Sequence, residues 1–272
     1  MLALAASAAP AAANLISPES PHSPNASDLN TLYWIILVIA VIVIVVFNAA
    51  LLGAAIRFRE RRGQQPRQAR GLGGLQTIVG AGLAVLALAL FAVSVVFTEK
   101  ARTVADTGPN GLKKSAAITG GSGAAPIGTA TPPAASKSAN PLQITATGQE
   151  WLWRYTYPNG AFSYYKLVVP VDTAVQLNLN STDVIHGWYV PELGGKFDAV
   201  PGKTNKAWFK ADETGTYLGR SSTFSGPAYA ADRIEVAVVT PAEYQSFIDE
   251  QRKEIQDAQD IVVKQIQSGE TP

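Results

Sequence analysis

The chain has 272 residues and a net charge of +1, which is enough for one or two domains and gives no reason to expect nucleic acid as a partner. It contains no cysteine, which excludes disulfides, thiolate metal sites and a lipid-bearing cysteine. Met1 is the only methionine, and His22 and His186 are the only histidines. These donors cannot build a dinuclear copper centre with bridging thiolates.

The first thirty residues are rich in Ala, Ser, Pro and Asn. The Ala-rich start, residues 1–13, ends in small residues as a signal peptide does, but it lacks a basic beginning and a long apolar run. We therefore expect residues 1–30 to form an external N-terminal tail. A weak, cleaved signal segment is the alternative.

Two uncharged segments follow, residues 33–56 and 75–97, and each is long enough to cross a hydrocarbon core of about 30 Å as a helix. Residues 57–74 between them are rich in Arg, which keeps a short loop on the cytoplasmic side. Residues 31–98 are thus predicted to form a transmembrane hairpin in the plasma membrane of a prokaryote. The N-terminus and everything after the hairpin would lie outside the cytoplasm, on the periplasmic or extracellular side.

The external part begins with residues 99–141, whose Ala, Gly, Ser, Thr and Pro content predicts a flexible linker. Residues 142–240 alternate short β-rich runs with turn signals, which is typical of an antiparallel sandwich. Thr240, Pro241 and Glu243 then form the pattern of a capping box, so residues 241–272 are predicted to be an amphipathic C-terminal helix and tail. The fold class is a membrane-anchored all-β protein.

Two stretches of the external part carry a family resemblance. Residues 148–158 read Gly-Gln-Glu-Trp-Leu-Trp-Arg-Tyr-Thr-Tyr-Pro, and residues 183–203 run from Asp-Val-Ile-His-Gly-Trp to Asp-Ala-Val-Pro-Gly-Lys. Together with the hairpin, these motifs resemble subunit II of haem–copper respiratory oxidases. The resemblance implies a cupredoxin-like fold for residues 142–240. It also implies that the chain binds oxidase subunit I, which would hold the haems and the active-site copper, and other oxidase subunits.

In cytochrome c oxidases of that family, a later loop supplies two Cys, a Glu, a His and a Met to the dinuclear CuA site. Aligning Gly219 and Gly226 with the family glycines puts other residues at these positions: Ser221, Thr223, Ser225, Tyr229 and Asp232. Of the side-chain ligands only His186 remains. The resemblance therefore implies a degenerate CuA site, with no metal, no cofactor and no catalytic residue in this chain.

The replacement loop is itself informative, because residues 221–229 resemble the corresponding loop of bo-type quinol oxidases. The resemblance implies a quinol-oxidising complex that reduces O2 to water with proton translocation, in which this chain has a structural and assembly role in electron transport. A cytochrome c oxidase-like subunit II with a degenerate CuA site, fed by another electron route, is one alternative. A membrane-tethered β-sandwich that serves as a binding module is another.

Several residues have a plainer interpretation beside the functional one. Trp151 matches the aromatic residue through which electrons enter in cytochrome c oxidases, but packing is favoured without copper beneath it. His186 could hold one weak metal ion or could form local hydrogen bonds, and the latter is favoured. Ser221 and Ser225 lack a second histidine as base within the domain and are better read as hydroxyls that hold a turn. Asp198 and Lys203 could pair with a neighbouring subunit, or they could be solvated loop charges.

Overall fold

The computed structural model describes residues 17–59, 73–112 and 141–268. Three α-helices and ten strands lie in these ranges, and the helices are α1 (Pro24–Arg57), α2 (Gly73–Arg102) and α3 (Pro241–Ser268). The signal segment predicted for residues 1–13 lies outside the described residues. So do most of the Arg-rich loop and the greater part of the predicted linker.

Helices α1 and α2 are long and apolar enough to cross a membrane, and their most apolar stretches are not covered by the rest of the chain. Helix α1 begins at Pro24, before the first residue of the predicted segment, Tyr33. Proline suits this first turn because its missing N–H would have no helical partner there, and its fixed φ fits a helix. The helix therefore extends past the apolar segment, toward the sandwich.

The strands form two five-stranded sheets that face each other. The first sheet has the order β3-β2-β1-β5-β8, with strands Phe162–Tyr164, Leu152–Thr156, Leu142–Gln149, Val175–Ser181 and Asn205–Phe209. The second has the order β4-β10-β9-β6-β7, with strands Lys166–Pro170, Arg233–Val239, Gly215–Ser221, His186–Tyr189 and Phe197–Ala199.

The sandwich is mixed rather than purely antiparallel. Strand β1 pairs with β5, and β4 with β10, in parallel. The chain between each parallel pair passes through other strands, so both members run in one direction, which a tight hairpin could not produce. The turn pattern of the sequence revealed the strands but not these longer connections.

Trp188 joins the two sheets in the core. Its side chain is 1% exposed, and its ring stacks on that of Phe209 with centroids 5.9 Å apart. Its indole N–H donates to the hydroxyl of Tyr155 at 3.3 Å. Burying such an aromatic side chain contributes a few kcal/mol. Around it lie further fully buried side chains: Ile144, Trp153, Leu167, Leu177, Leu179, Leu193 and Ile234.

The capping box of α3 is confirmed. The backbone N–H of Thr240 donates to Glu243 Oε2 at 2.9 Å, and the backbone N–H of Glu243 donates to Thr240 Oγ1 at 3.3 Å. The Thr240 backbone N–H and the Thr240 hydroxyl, which also donates to Glu243 Oε2 at 2.8 Å, lower the pKa of Glu243. The first turns of the helix bury Tyr244 and Ile248 against the sandwich.

The outer ends of the hairpin are bound to the sandwich. The side-chain amide of Asn25 donates to the carbonyl of Trp208, whose indole N–H donates to the carbonyl of Ala101 at 2.7 Å. Lys100 and Asp28 pair across the two helices at 3.2 Å. One residue of the second sheet's rim also takes part, since the carbonyl of Glu192 accepts the backbone N–H of His22 at 2.8 Å.

The start of the segment expected to be a flexible linker is ordered. Helix α2 continues to Arg102, and Val104 is buried at 1% exposure beside Ala174 and Trp208. The backbone N–H of Gly108 donates to the carbonyl of Asp172 at 2.8 Å. An apolar residue within a stretch of Ala, Gly, Ser and Thr carries no periodic signal, so composition could not identify this contact.

Replacing Trp208 by Phe removes the indole hydrogen bond to α2 and should lower the free energy of unfolding by about 1–2 kcal/mol. Chemical unfolding of the full chain in detergent, followed by near-ultraviolet circular dichroism, measures this change. Trp34→Phe makes the same substitution at an exposed position of α1 and should have little effect. Equal effects of the two substitutions would contradict a stabilising contact at Trp208.

Candidate functional site

The predicted site residues lie where β6 and β10 begin and β9 ends. Trp188 pairs with Ser221 across β6 and β9, and the backbone N–H of Ser221 donates to the carbonyl of Asp232 at 3.0 Å. Since side chains two apart on a strand share a face, this register puts His186, Ser221 and Asp232 on the inner face of the sheet. All three side chains are buried.

His186 is held by a carboxylate. Its Nε2 lies 2.8 Å from Asp183 Oδ1, and its side chain is fully buried. Partial burial acts to raise the pKa of Asp183, but hydrogen bonds from His186, from the backbone N–H groups of Val184 and Glu150, and from Ser181 lower it overall. Asp183 is therefore ionised at neutral pH. It accepts a hydrogen bond from His186 Nε2, which carries the hydrogen. In the neutral ring, Nδ1 then presents a lone pair to the interior.

Asp232 faces that lone pair. Its side chain is 1% exposed, and its Oδ2 lies 3.9 Å from His186 Nδ1. Burial raises the pKa of Asp232 from 3.8 to about 6, while the neighbouring His186 and the indole of Trp153 act in the opposite direction. A carboxyl in such a place is unusual, because buried charges normally have close partners.

Several buried polar atoms on these strands and on the loop after β9 have no hydrogen-bond partner within the described part of the chain. They include His186 Nδ1, both carboxylate oxygens of Asp232, Ser221 Oγ, Ser225 Oγ and the indole nitrogen of Trp153. Most buried polar groups in proteins are hydrogen-bonded, so a group of this kind calls for a ligand, a proton or ordered water. We call His186, Ser221, Ser225 and Asp232 the buried polar cluster.

The other two positions of the degenerate site point elsewhere. Thr223 Oγ1 donates to Asp198 Oδ1 at 2.9 Å, and the ring of Tyr229 contacts exposed Phe224 with centroids 5.1 Å apart. The structure therefore brings His186, Ser221 and Asp232 together on one face and directs Thr223 and Tyr229 to other contacts.

Trp151 lies over the same loop. Its indole N–H donates to the carbonyl of Ser225 at 3.0 Å. Gly226 has φ +115, and a Cβ there would come within 2.9 Å of Cζ2 of Trp151. A residue without a side chain is required for both reasons. The half-buried ring thus packs on the loop.

The polar residues of the two loops show neither a nucleophile nor an unpaired Asp198. Ser221 and Ser225 hydroxyls make no hydrogen bond to histidine, so neither has the activated geometry of a nucleophile. Asp198 is bound to Thr223 and pairs with Lys196 at 3.2 Å, whereas Lys203 is exposed.

The donors present do not fit a CuA site. That site needs thiolate sulfur, and a serine hydroxyl does not ionise near neutral pH and is a poor ligand for copper. The described residues include no group of three or more His, Cys, Asp or Glu side chains placed to hold a metal ion.

Comparison with known proteins defines the class of this domain. Residues 162–239 match the profile of the family described as cytochrome c oxidase subunit II, periplasmic domain. Cytochrome c oxidase subunit 2 of Alkalihalophilus pseudofirmus is 32% identical over 127 residues, which cover 46% of this chain and 37% of that protein. Quinol oxidase subunit 2 of Bacillus subtilis is 31% identical over 123 residues, covering 45% and 38%. The chain thus spans about two fifths of the length of these curated relatives.

Among solved structures, the periplasmic domain of subunit II of cytochrome oxidase of Bradyrhizobium japonicum is 32% identical, with a TM-score of 0.41 over 42% of this chain and 94% of that one. The profile match and the 32% identity over nearly all of that domain define the class of the sandwich: it is an oxidase subunit II periplasmic domain, here preceded by two helices long and apolar enough to cross a membrane. The chain belongs to the cytochrome c oxidase subunit II family.

Two features of the site were not evident in the sequence. Asp183 was part of a motif, yet its role as the partner of His186 depends on a turn that returns its side chain to the ring. Asp232 precedes an arginine, which is typical of an exposed loop, and only its pairing opposite Ser221 buries it. The one signal available was a carboxyl at the position to which the family resemblance assigns a methionine ligand.

Replacing Asp232 by Asn should change how stability depends on pH. The pKa of Asp232 is higher in the folded state than its ordinary value, so the folded chain takes up a proton between about pH 7 and 4 and gains stability on acidification. A difference of about two pKa units corresponds to about 2–3 kcal/mol. In chelator-treated protein, the stability advantage of the Asn variant over the unaltered chain should therefore shrink by that amount across this range. Parallel unfolding profiles from pH 7 to 4 would contradict a buried carboxyl.

Proposed function

We propose that this chain is the non-catalytic subunit II of a quinol-oxidising haem–copper terminal oxidase, whose complex reduces O2 to water and translocates protons. The observation that carries the proposal is the donor set at the loops, which offers a hydroxyl at each of the two thiolate positions, Ser221 and Ser225. A soluble cytochrome would need a copper relay in this domain, whereas a membrane quinol delivers electrons without one.

The hairpin supports the rest of the arrangement. In this proposal α1 and α2 lie in the plasma membrane against subunit I, with the sandwich on the external side. The haems, the active-site copper and the quinol site belong to subunit I. This chain covers subunit I from outside and stabilises the assembled complex, and the contacts of Trp208 and Asn25 fix how its sandwich sits above the helices.

The purified chain should show no mixed-valence copper spectrum. Combining Ser221→Cys, Ser225→Cys, Tyr229→His and Asp232→Met should permit uptake of two copper ions with a thiolate absorption band, since His186 already supplies the remaining nitrogen. The same four substitutions with His186→Gln serve as the control and should bind far less. A folded quadruple variant without copper would contradict the register of the loop. Two coppers in the unaltered chain would overturn the proposal.

Steady-state oxygen consumption tests the electron donor directly. The intact complex should oxidise a short-chain quinol and should not accept electrons from reduced cytochrome c. The opposite preference would favour a cytochrome c oxidase-like complex with another electron route, the second candidate within the family. Cytochrome c and quinol oxidases both occur among its relatives at similar identity, which is why this assay is needed.

A further inference from the structure

His186 has no role in the proposed function, yet its surroundings are specific. The ring is fully buried, Asp183 holds Nε2 at 2.8 Å, and Nδ1 has no hydrogen-bond partner in the ranges that the structure describes. A carboxylate on one nitrogen and a free lone pair on the other is how proteins orient histidines that bind metals.

The lone pair of His186 faces further acceptors. Both oxygens of Asp232 lack partners, and its Oδ2 lies 3.9 Å from Nδ1. The hydroxyls of Ser221 and Ser225 can each donate or accept, and the indole N–H of Trp153, which acts on the Asp232 carboxyl, is a further donor beside the cluster. Placing a carboxylate and an imidazole lone pair together in a protein interior is unfavourable unless a positive charge lies between them.

We propose that His186 Nδ1 and the carboxylate of Asp232 bind a single zinc(II) ion, with hydroxyls of Ser221 and Ser225 or water completing its shell. Nitrogen and oxygen ligands on one tetrahedral zinc lie about 3.3 Å apart, so a shift of about half an ångström from the 3.9 Å separation forms the site. The ion fastens the loop between β9 and β10 to the first residue of β6.

The donor types select the metal. Copper(I) prefers sulfur, which this chain does not offer in the cluster, and magnesium and calcium prefer all-oxygen shells. Imidazole nitrogen and carboxylate oxygen are both zinc ligands, and zinc has no geometric preference from its d-electrons, so hydroxyls or water can complete the shell. The ion is not redox-active, so the proposal adds to the proposed function without resting on it.

A competing surface site provides a matched control. The other histidine, His22, has its Nδ1 3.3 Å from Asp212 Oδ1 and 3.6 Å from Glu213 Oε2. Both carboxylates are largely exposed, so their charge is screened by solvent. Zinc bound there would be adventitious, and His22→Gln removes it without touching the buried polar cluster.

The test titrates the chelator-treated full chain in detergent with zinc chloride at neutral pH against a chromophoric competitor. We expect one zinc per chain, retained in His22→Gln and lost in His186→Gln and Asp232→Asn. Asp183→Asn, which alters only the carboxylate behind the ring, should weaken binding about 10- to 100-fold. Near-ultraviolet circular dichroism of each variant establishes that the sandwich is folded.

X-ray absorption at the zinc edge identifies the ligands directly. One imidazole nitrogen with otherwise oxygen ligands is expected both from the unaltered chain and from the His22→Gln control. Failure to take up one equivalent of zinc, loss of binding in His22→Gln alone, or two imidazoles per zinc would overturn the site. None of these outcomes affects the copper and quinol measurements, so the two proposals fail separately.

Discussion

The contact on which the site depends is that of Trp188 between the sheets. Its ring stacks on Phe209 of the first sheet, its indole binds Tyr155, and its backbone belongs to β6 of the second sheet. Two residues earlier on the same face is His186. The position of the histidine therefore follows from packing in the core, and the adjoining loop can change its residues without moving it.

This separation makes the backbone of the loop independent of the particular side chains that it carries. The backbone hydrogen bond from Ser221 to Asp232, and the bond from the Trp151 indole to the carbonyl of Ser225, do not require particular side chains on the loop. Hydroxyls at Ser221 and Ser225 are compatible with this backbone, but they remain without a hydrogen-bond partner in the described part of the chain.

The sequence was most informative where a local pattern is decisive. The length of the apolar segments predicts α1 and α2, and the Thr240–Glu243 capping box predicts the start of α3. Each of these signals consists of residues that are close together in the sequence. The parallel pairing of β1 with β5 and the burial of Val104 depend on residues far apart in the chain, so no local pattern contains them. In the site, His186 could be found by motif, but the isolation of Asp232 from solvent is a property of the assembled sheets.

The link between Trp208, Asn25 and Ala101 has a mechanical consequence. A sandwich joined to a membrane only by a loose tether would sample many orientations, and its loops would meet other subunits by chance. Here one end of each helix is hydrogen-bonded to strand β8, so a tilt of the hairpin would rotate the sandwich with it. The orientation of the face that carries His186 is therefore set by the tilt of the two helices.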